Sequence, residues 1–201
     1  MDKATIAVYD ARAAEYADFV TREKEDPSLQ VFMEALPSGA RVLDLGCGNG
    51  ASSAVMVDHG FNVTAVDASL EMVKICEGIQ GVTARQATFD DVIRDVPTSD
   101  NLYTGIWANF SLLHVSKAEC RRVMLGLNTL CQQPAWLHIG MKTGDGEQRD
   151  RLGRHYVYYS DTELQSLMAD AGFELQKTIV GESAGLAGDL EPWMTLLGVR
   201  R

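Results

Sequence analysis

The sequence predicts a three-layer α/β sandwich, a mostly parallel sheet with helices on both faces. Three observations carry that expectation. Short apolar runs alternate with helical stretches from Arg41 to Met141, the rhythm of parallel strands joined by crossover helices. A glycine-rich loop follows the first apolar run, and a helix starts directly after it. The last two apolar runs, 173–180 and 193–199, are separated only by a Gly-rich stretch. Two strands without a crossover helix are expected to pair antiparallel.

The elements follow in order. Ile6, Tyr9, Ala13, Tyr16, Ala17 and Val20 lie near helical spacing and predict a helix over 4–24. Pro27-Ser28 punctuates, and 29–36 reads as a second short helix. Pro37-Ser38-Gly39 is a turn before a strand over 41–45. A helix over 51–59 is ended by Gly60. A strand over 61–66 leads to Asp67 and Ser69, which can cap a helix over 70–77 that Gly78 and Gly81 break. Strands are expected at 82–87 and 102–108. Ser116 caps a helix running to about Leu130, and a fifth strand spans 135–141. A polar loop, 142–154, comes next. Ser160 then opens a helix over 161–171, closed by Gly172. Residues 1–36 are read as an N-terminal helical cap and 37–201 as the main domain.

Bulk composition narrows the classes. The chain has 201 residues, 46% hydrophobic and 23% charged, which suits one domain with a small appendage. No apolar run is long enough to span a membrane, and the N-terminus lacks the apolar region of a signal peptide, so a cytoplasmic protein is expected. The formal net charge of −10 repels phosphate backbones and disfavours nucleic acid as a partner. Cys47, Cys76, Cys120 and Cys131 form no CxxC pair, and the four histidines are scattered, so no metal site is expected. A monomer and a homodimer are both compatible with the sequence.

The segment Val42-Leu43-Asp44-Leu45-Gly46-Cys47-Gly48-Asn49-Gly50 runs an apolar strand into G-x-G-x-G. Glycines there allow positive φ and let a ligand approach the backbone, and the following helix offers free N–H groups. Val63-Thr64-Ala65-Val66-Asp67 is an apolar strand ending in an acid that can accept two ribose hydroxyls. A nicotinamide dinucleotide uses similar parts, but its usual fingerprint is G-x-G-x-x-G. Asp44, on the strand before the glycines, would repel a pyrophosphate and suits the ammonium of an amino acid.

With these motifs the chain resembles the class I S-adenosylmethionine-dependent methyltransferases over roughly residues 35–200. VLDLGCGNG looks like their first motif and VTAVDAS like their second. The resemblance implies a Rossmann-like seven-stranded sheet with an antiparallel last strand and S-adenosyl-L-methionine as cofactor. It implies that Asp44, Gly46 and Gly48, with Cys47 between them, hold the methionine part and Asp67 the ribose. Ala68 and Met72 would line the adenine pocket. The third motif usually has an acid-containing turn. Here the region reads Gln86-Ala87-Thr88-Phe89-Asp90-Asp91, and Thr88 and Phe89 are the expected adenine neighbours. Trp107 to His114 looks like the fourth motif of a bacterial small-molecule branch that includes tellurite-resistance-like proteins, placing Ala108 and Asn109 near the methyl group. Tyr9 and Tyr16 are expected to close over the cofactor.

For the chemistry, a sulfonium is already a strong methyl donor, and a base is needed only if the acceptor carries a proton. His114 is the candidate base, because it follows the fourth strand and titrates near neutrality when unperturbed. A histidine there can also serve only to bond loop backbone. The 142–154 loop carries Lys142, Arg149, Arg151 and Arg154 among acids, and its glycines suggest a lid whose arginines meet an anionic substrate; a solvated mixed-charge loop is the plainer alternative. Tyr156 and Tyr158 alternate as a strand would and form a candidate substrate wall. The activity expected is methylation of a small molecule. Methylation of protein or RNA, and cofactor binding without catalysis, stay open on the sequence alone.

Overall fold

The computed structural model describes residues 2–20, 26–96 and 98–201. Seven strands form one sheet: β1 (Arg41–Leu45), β2 (Asn62–Asp67), β3 (Thr83–Gln86), β4 (Tyr103–Asn109), β5 (Cys131–Lys142), β8 (Glu174–Ala184) and β9 (Leu190–Arg200). Their order across the sheet is β3-β2-β1-β4-β5-β9-β8. β1 lies parallel between β2 and β4, with Leu43 opposite Thr64 on one side and Ile106 on the other. β9 runs antiparallel to both β5 and β8. The Rossmann-like sheet and its reversed last strand are therefore as expected. The helices are α1 (Lys3–Ala11), α2 (Ala13–Phe19), α3 (Pro27–Glu34), α4 (Ala51–Asp58), α5 (Leu70–Glu77), α6 (Phe89–Arg94), α7 (Lys117–Thr129) and α8 (Asp161–Asp170).

Strand alternation sorts the core onto two faces. On β1, Val42 packs with Phe32, Met56, Val63 and Trp107 beneath α3 and α4. Leu43 and Leu45 join the larger opposite cluster with Ile106, Leu137, Met124 and Met168. Phe32 has no exposed surface, and burying such a ring stabilises by about 1.5–3 kcal/mol. It carries α3 into the core of the sheet.

Three local expectations are corrected. The single helix over 4–24 is broken at Arg12, whose backbone (φ −122°, ψ 21°) is not helical, giving α1 and α2; residues 21–24 of that expectation lie outside the described residues. The polar loop 142–154 is not a free loop. It contains β6 (Glu147–Arg149), which pairs antiparallel with β7 (His155–Val157). The stretch after β3 holds α6, which was not expected; a capping box, Thr88 accepting from Asp91 N and Asp91 accepting from Thr88 N, starts it.

Candidate functional site

The glycine loop sits at the carboxyl end of β1, where parallel sheets place ligands. Gly46 N and Cys47 N both donate to Val66 O, at 2.8 and 3.0 Å, which stitches the loop to β2. Gly46 has φ +78°, and a Cβ there would lie 2.3 Å from Ser111 Cβ, so the backbone shape and the closeness both require glycine. Gly48 (φ +54°) lies under the Tyr16 ring, which a Cβ would approach to 3.1 Å.

Two carboxylates flank the loop. Asp67 closes β2, and its oxygens accept from Gly48 N (3.0 Å) and Ser69 N (2.8 Å). Burial pushes its carboxyl above the usual range against those bonds. Asp44 is 2% exposed and accepts from Ser53 Oγ at 2.6 Å. Burial raises it to about 7, with the nearby Asp67 charge adding to the effect and the Ser53 bond opposing it. A buried carboxylate without a cation gains most from a ligand that brings one.

α1 and α2 lie over this loop. Ser69 Oγ donates to Asp10 Oδ1 (2.6 Å), tying α1 to the start of α5. At the other end Asp2 caps Thr5 N (2.8 Å) and takes a forked pair from Arg149, while His155 N donates to Thr5 Oγ1 (2.8 Å). Tyr9 and Tyr16 meet edge to face at 5.7 Å between centroids.

A cavity of about 400 Å³ opens beneath them, within the range of small-molecule sites. Of the residues singled out in the sequence, Tyr9, Tyr16, Asp44, Gly46, Cys47 and Asn109 line it. So do Lys142, Arg154 and Tyr156. Gly48 and Asp67 stand just behind the loop, linked to each other. Ala68, Met72 and Phe89 are buried beside β2, α5 and α6, and Ala108 is fully buried in β4. Thr88 spends its hydroxyl on the α6 cap. Sequence reasoning missed Asp26, Ser28, Glu191, Trp193 and Thr195, which line the far part of the cavity. The Asp26-Pro27 pair carried a helix-start signal; Asp26 caps α3 through Ser28 N and Leu29 N.

His114 does not line the cavity. Its Nδ1 faces His155 O at 2.6 Å, so Nδ1 carries the proton and Nε2 accepts from the Tyr9 hydroxyl at 3.0 Å. Burial lowers it to about 4, and the Arg154 and Lys142 charges push the same way, against the His155 carbonyl. The imidazole is therefore neutral near pH 7 and fully bonded, and it is poorly placed to take a proton from a substrate. Tyr9 stands between it and the cavity. Arg154 Nη1 donates to the Tyr9 oxygen (3.2 Å), and Arg154 is ion-paired with Asp150 at 2.7 Å. The Lys142 ammonium is paired with Glu191 and sits 3.8 Å from the centre of the Tyr156 ring. Deeper in, His138 stacks on Trp107 at 3.7 Å and its Nε2 donates to Asn109 Oδ1 at 3.1 Å, leaving the Asn109 NH₂ on the cavity side near Asp26. Among the described residues, no group of three acids, histidines or cysteines could hold a metal, and no helix is long and apolar enough to cross a membrane.

Known proteins agree with this geometry. A methyltransferase-domain family model matches residues 11–178. The chain is 34% identical over 92 residues to a sarcosine/dimethylglycine N-methyltransferase of Aphanothece halophytica, a match covering 44% of this chain and 32% of that one. It is 39% identical over 66 residues to a ubiquinone biosynthesis O-methyltransferase of Xylella fastidiosa, covering 30% and 26%. The chain thus spans about a third or less of the length of these curated relatives. Among solved structures, a 1,6-didemethyltoxoflavin-N1-methyltransferase of Burkholderia thailandensis, with its substrate and S-adenosylhomocysteine bound, superposes with a TM-score of 0.71 at 18% identity, covering 96% of this chain and 88% of that one. An S-adenosylmethionine-dependent methyltransferase of Methanosarcina mazei superposes equally well, 0.71 at 17% identity, covering 88% and 98%. The family model covers most of the chain, and the protein belongs to the methyltransferase-domain family.

Proposed function

We propose that this chain transfers the methyl group of S-adenosyl-L-methionine to a small molecule in the cytoplasm. The observation that carries the reading is the buried Asp44 at the glycine loop. It is a carboxylate at the cavity wall without a protein cation among the described residues, in the place where an amino-acid ammonium would lie. When bound, the cofactor supplies a sulfonium carbon open to attack. The chain's own part is to hold, align and exclude water. Asp44, Gly46, Cys47 and Gly48 hold the methionine end, and Asp67 the ribose. Ala68, Met72, Thr88 and Phe89 border the adenine. Ala108 and Asn109 would lie near the methyl group, and Tyr9 and Tyr16 on the cap of residues 1–36 would close over the cofactor.

In this reading His114 acts by holding Tyr9. Lys142, Arg154 and Tyr156 face the acceptor. The named relatives are methyltransferases of sarcosine/dimethylglycine, of ubiquinone biosynthesis and of 1,6-didemethyltoxoflavin, which supports a small-molecule acceptor. The narrower likeness to the tellurite-resistance-like branch rests on the stretch from Trp107 to His114. Calorimetry with S-adenosylmethionine and S-adenosylhomocysteine tests the proposal. Both are expected to bind at one site, and Asp67→Ala should weaken both strongly; a wild-type protein that binds neither would sink the reading. Transfer of labelled methyl from the cofactor to a metabolite extract separates an enzyme from a cofactor-binding protein.

A further inference from the structure

The guanidinium of Arg154 is only 2% exposed, yet it forms part of the cavity wall. It is fixed from two sides. Asp150 Oδ2 accepts from Nε at 2.9 Å and is ion-paired with Nη2 at 2.7 Å. Asp150 is itself held, since its Oδ1 accepts from Leu152 N and Arg154 N at 3.0 and 2.9 Å. On the other side Nη1 donates to the Tyr9 oxygen, whose proton goes to His114. The Tyr9 and Tyr156 rings each lie 5.3 Å from the guanidinium carbon and shield it from water. An arginine has five N–H donors in a rigid plane. Asp150 takes the Nε hydrogen and Tyr9 one Nη1 hydrogen, which leaves at least one N–H on each terminal nitrogen even with Nη2 against Asp150.

Two other cations of this region are committed elsewhere, and Arg151 does not line the cavity. Lys142 is paired with Glu191. Arg149 is forked onto Asp2 and also donates to Gly153 O (2.7 Å), outside the cavity. The hairpin β6–β7, in a segment for which the sequence left a lid and a solvated loop open, delivers one buried, oriented guanidinium. We propose that Arg154 is the carboxylate-reading residue of this cavity, holding a monoanionic carboxylate through the two N–H groups left on its terminal nitrogens. Two parallel donors match the pitch of a carboxylate. Asp150, on the same guanidinium, offsets part of its charge and disfavours a phosphate dianion. The proposal rests on the reading of the cavity as the methyl-transfer site. The carboxylate belongs either to the amino-acid end of the cofactor or to the methyl acceptor, and the two sources are separable by experiment.

The test is calorimetry on wild type and Arg154→Gln with three probes. These are S-adenosylhomocysteine, 5′-methylthioadenosine, which lacks the amino-acid carboxylate, and benzoate added to the S-adenosylhomocysteine complex. A rise of tenfold or more in the Kd for S-adenosylhomocysteine, with that for methylthioadenosine within twofold, assigns Arg154 to the cofactor's carboxylate. Unchanged nucleoside affinities with loss of benzoate binding assign it to the acceptor's. Equal weakening of both nucleosides makes Arg154 a scaffold residue and overturns the proposal, as do three unchanged affinities. If Arg154→Gln melts far below wild type, Arg154→Lys carries the same test. It keeps a cation on Asp150 and loses the fork, and the carboxylate-dependent affinity should fall threefold or more; no fall overturns the proposal. A wild-type protein that binds neither nucleoside fails the cofactor reading itself, which is a different result from any of these.

Discussion

Lowering the pH from about 8 to about 6 is expected to weaken S-adenosylhomocysteine binding about tenfold, through Asp44 alone. Burial holds the free carboxyl near 7, so about nine-tenths of it is ionised at the upper pH and about one-tenth at the lower. A ligand ammonium at the loop favours the ionised form. Binding therefore lowers the Asp44 pKa, expels a proton below neutrality, and strengthens as pH rises through 7 before levelling off. The tenfold change corresponds to about 1.4 kcal/mol. Calorimetry at three pH values, in two buffers of different ionisation enthalpy, reads the affinity and the proton count together. Asp44→Asn can still accept from Ser53 Oγ. It should bind more weakly at high pH and show no slope. 5′-Methylthioadenosine, which has no ammonium, should bind with a flat profile. A flat profile for S-adenosylhomocysteine, or the same slope for methylthioadenosine, would refute the placement of the ammonium on Asp44.

Three other outcomes follow from the geometry. Because burial lowers His114 to about 4, it stays neutral across the working range and gains a proton only below that value. The kcat profile should show no limb near 6.5, and His114→Phe should loosen cofactor binding through Tyr9 without removing any limb; a wild-type limb near 6.5 that vanishes in the variant would make His114 the base after all. Gly46→Ala forces a Cβ against Ser111 at φ +78°. It should cost about 2–4 kcal/mol from strain and overpacking. That is roughly 5–15 °C in Tm by calorimetric melt. Asp2→Ala removes both the α1 cap and the Arg149 fork. A loss of about 1 kcal/mol is expected, with faster amide exchange confined to α1, and unchanged exchange there would show that the clasp adds nothing.

What could be read in the sequence was local. The strand–glycine–helix unit from Val42 to Gly50 and the acid after β2 each declare themselves within a few residues, because tight turns and strand ends constrain residue type. The antiparallel closing strands were legible for the same reason: too little chain lies between them for a crossover. Non-local partners were not. His114 had the right residue type and position for a base, but the Tyr9 hydroxyl that consumes its Nε2 is far away in sequence, and its desolvation belongs to the packed fold. The loop glycines misled in a different way. Gly144, Gly146 and Gly153 take positive φ to turn the chain into and out of the β6–β7 hairpin, so glycine content there marks sharp turns and not freedom. Thr88-x-x-Asp91 is also a capping box in plain view, and the helix it starts was not expected.

The clasp on α1 has a consequence for the order in which the molecule assembles. Asp2, Thr5 and Tyr9 bond to Arg149, His155 and Arg154, so the clasp on the first helix closes only after about three-quarters of the chain has been made. Closing so long a loop carries a high entropic cost and comes late in folding. The strands β1, β2 and β4, with the glycine loop, can form before the roof arrives. A growing chain therefore passes through a stage in which the nucleoside platform exists but stands open to water. Pulse-labelled amide exchange during refolding should find β1, β2 and β4 protected before α1.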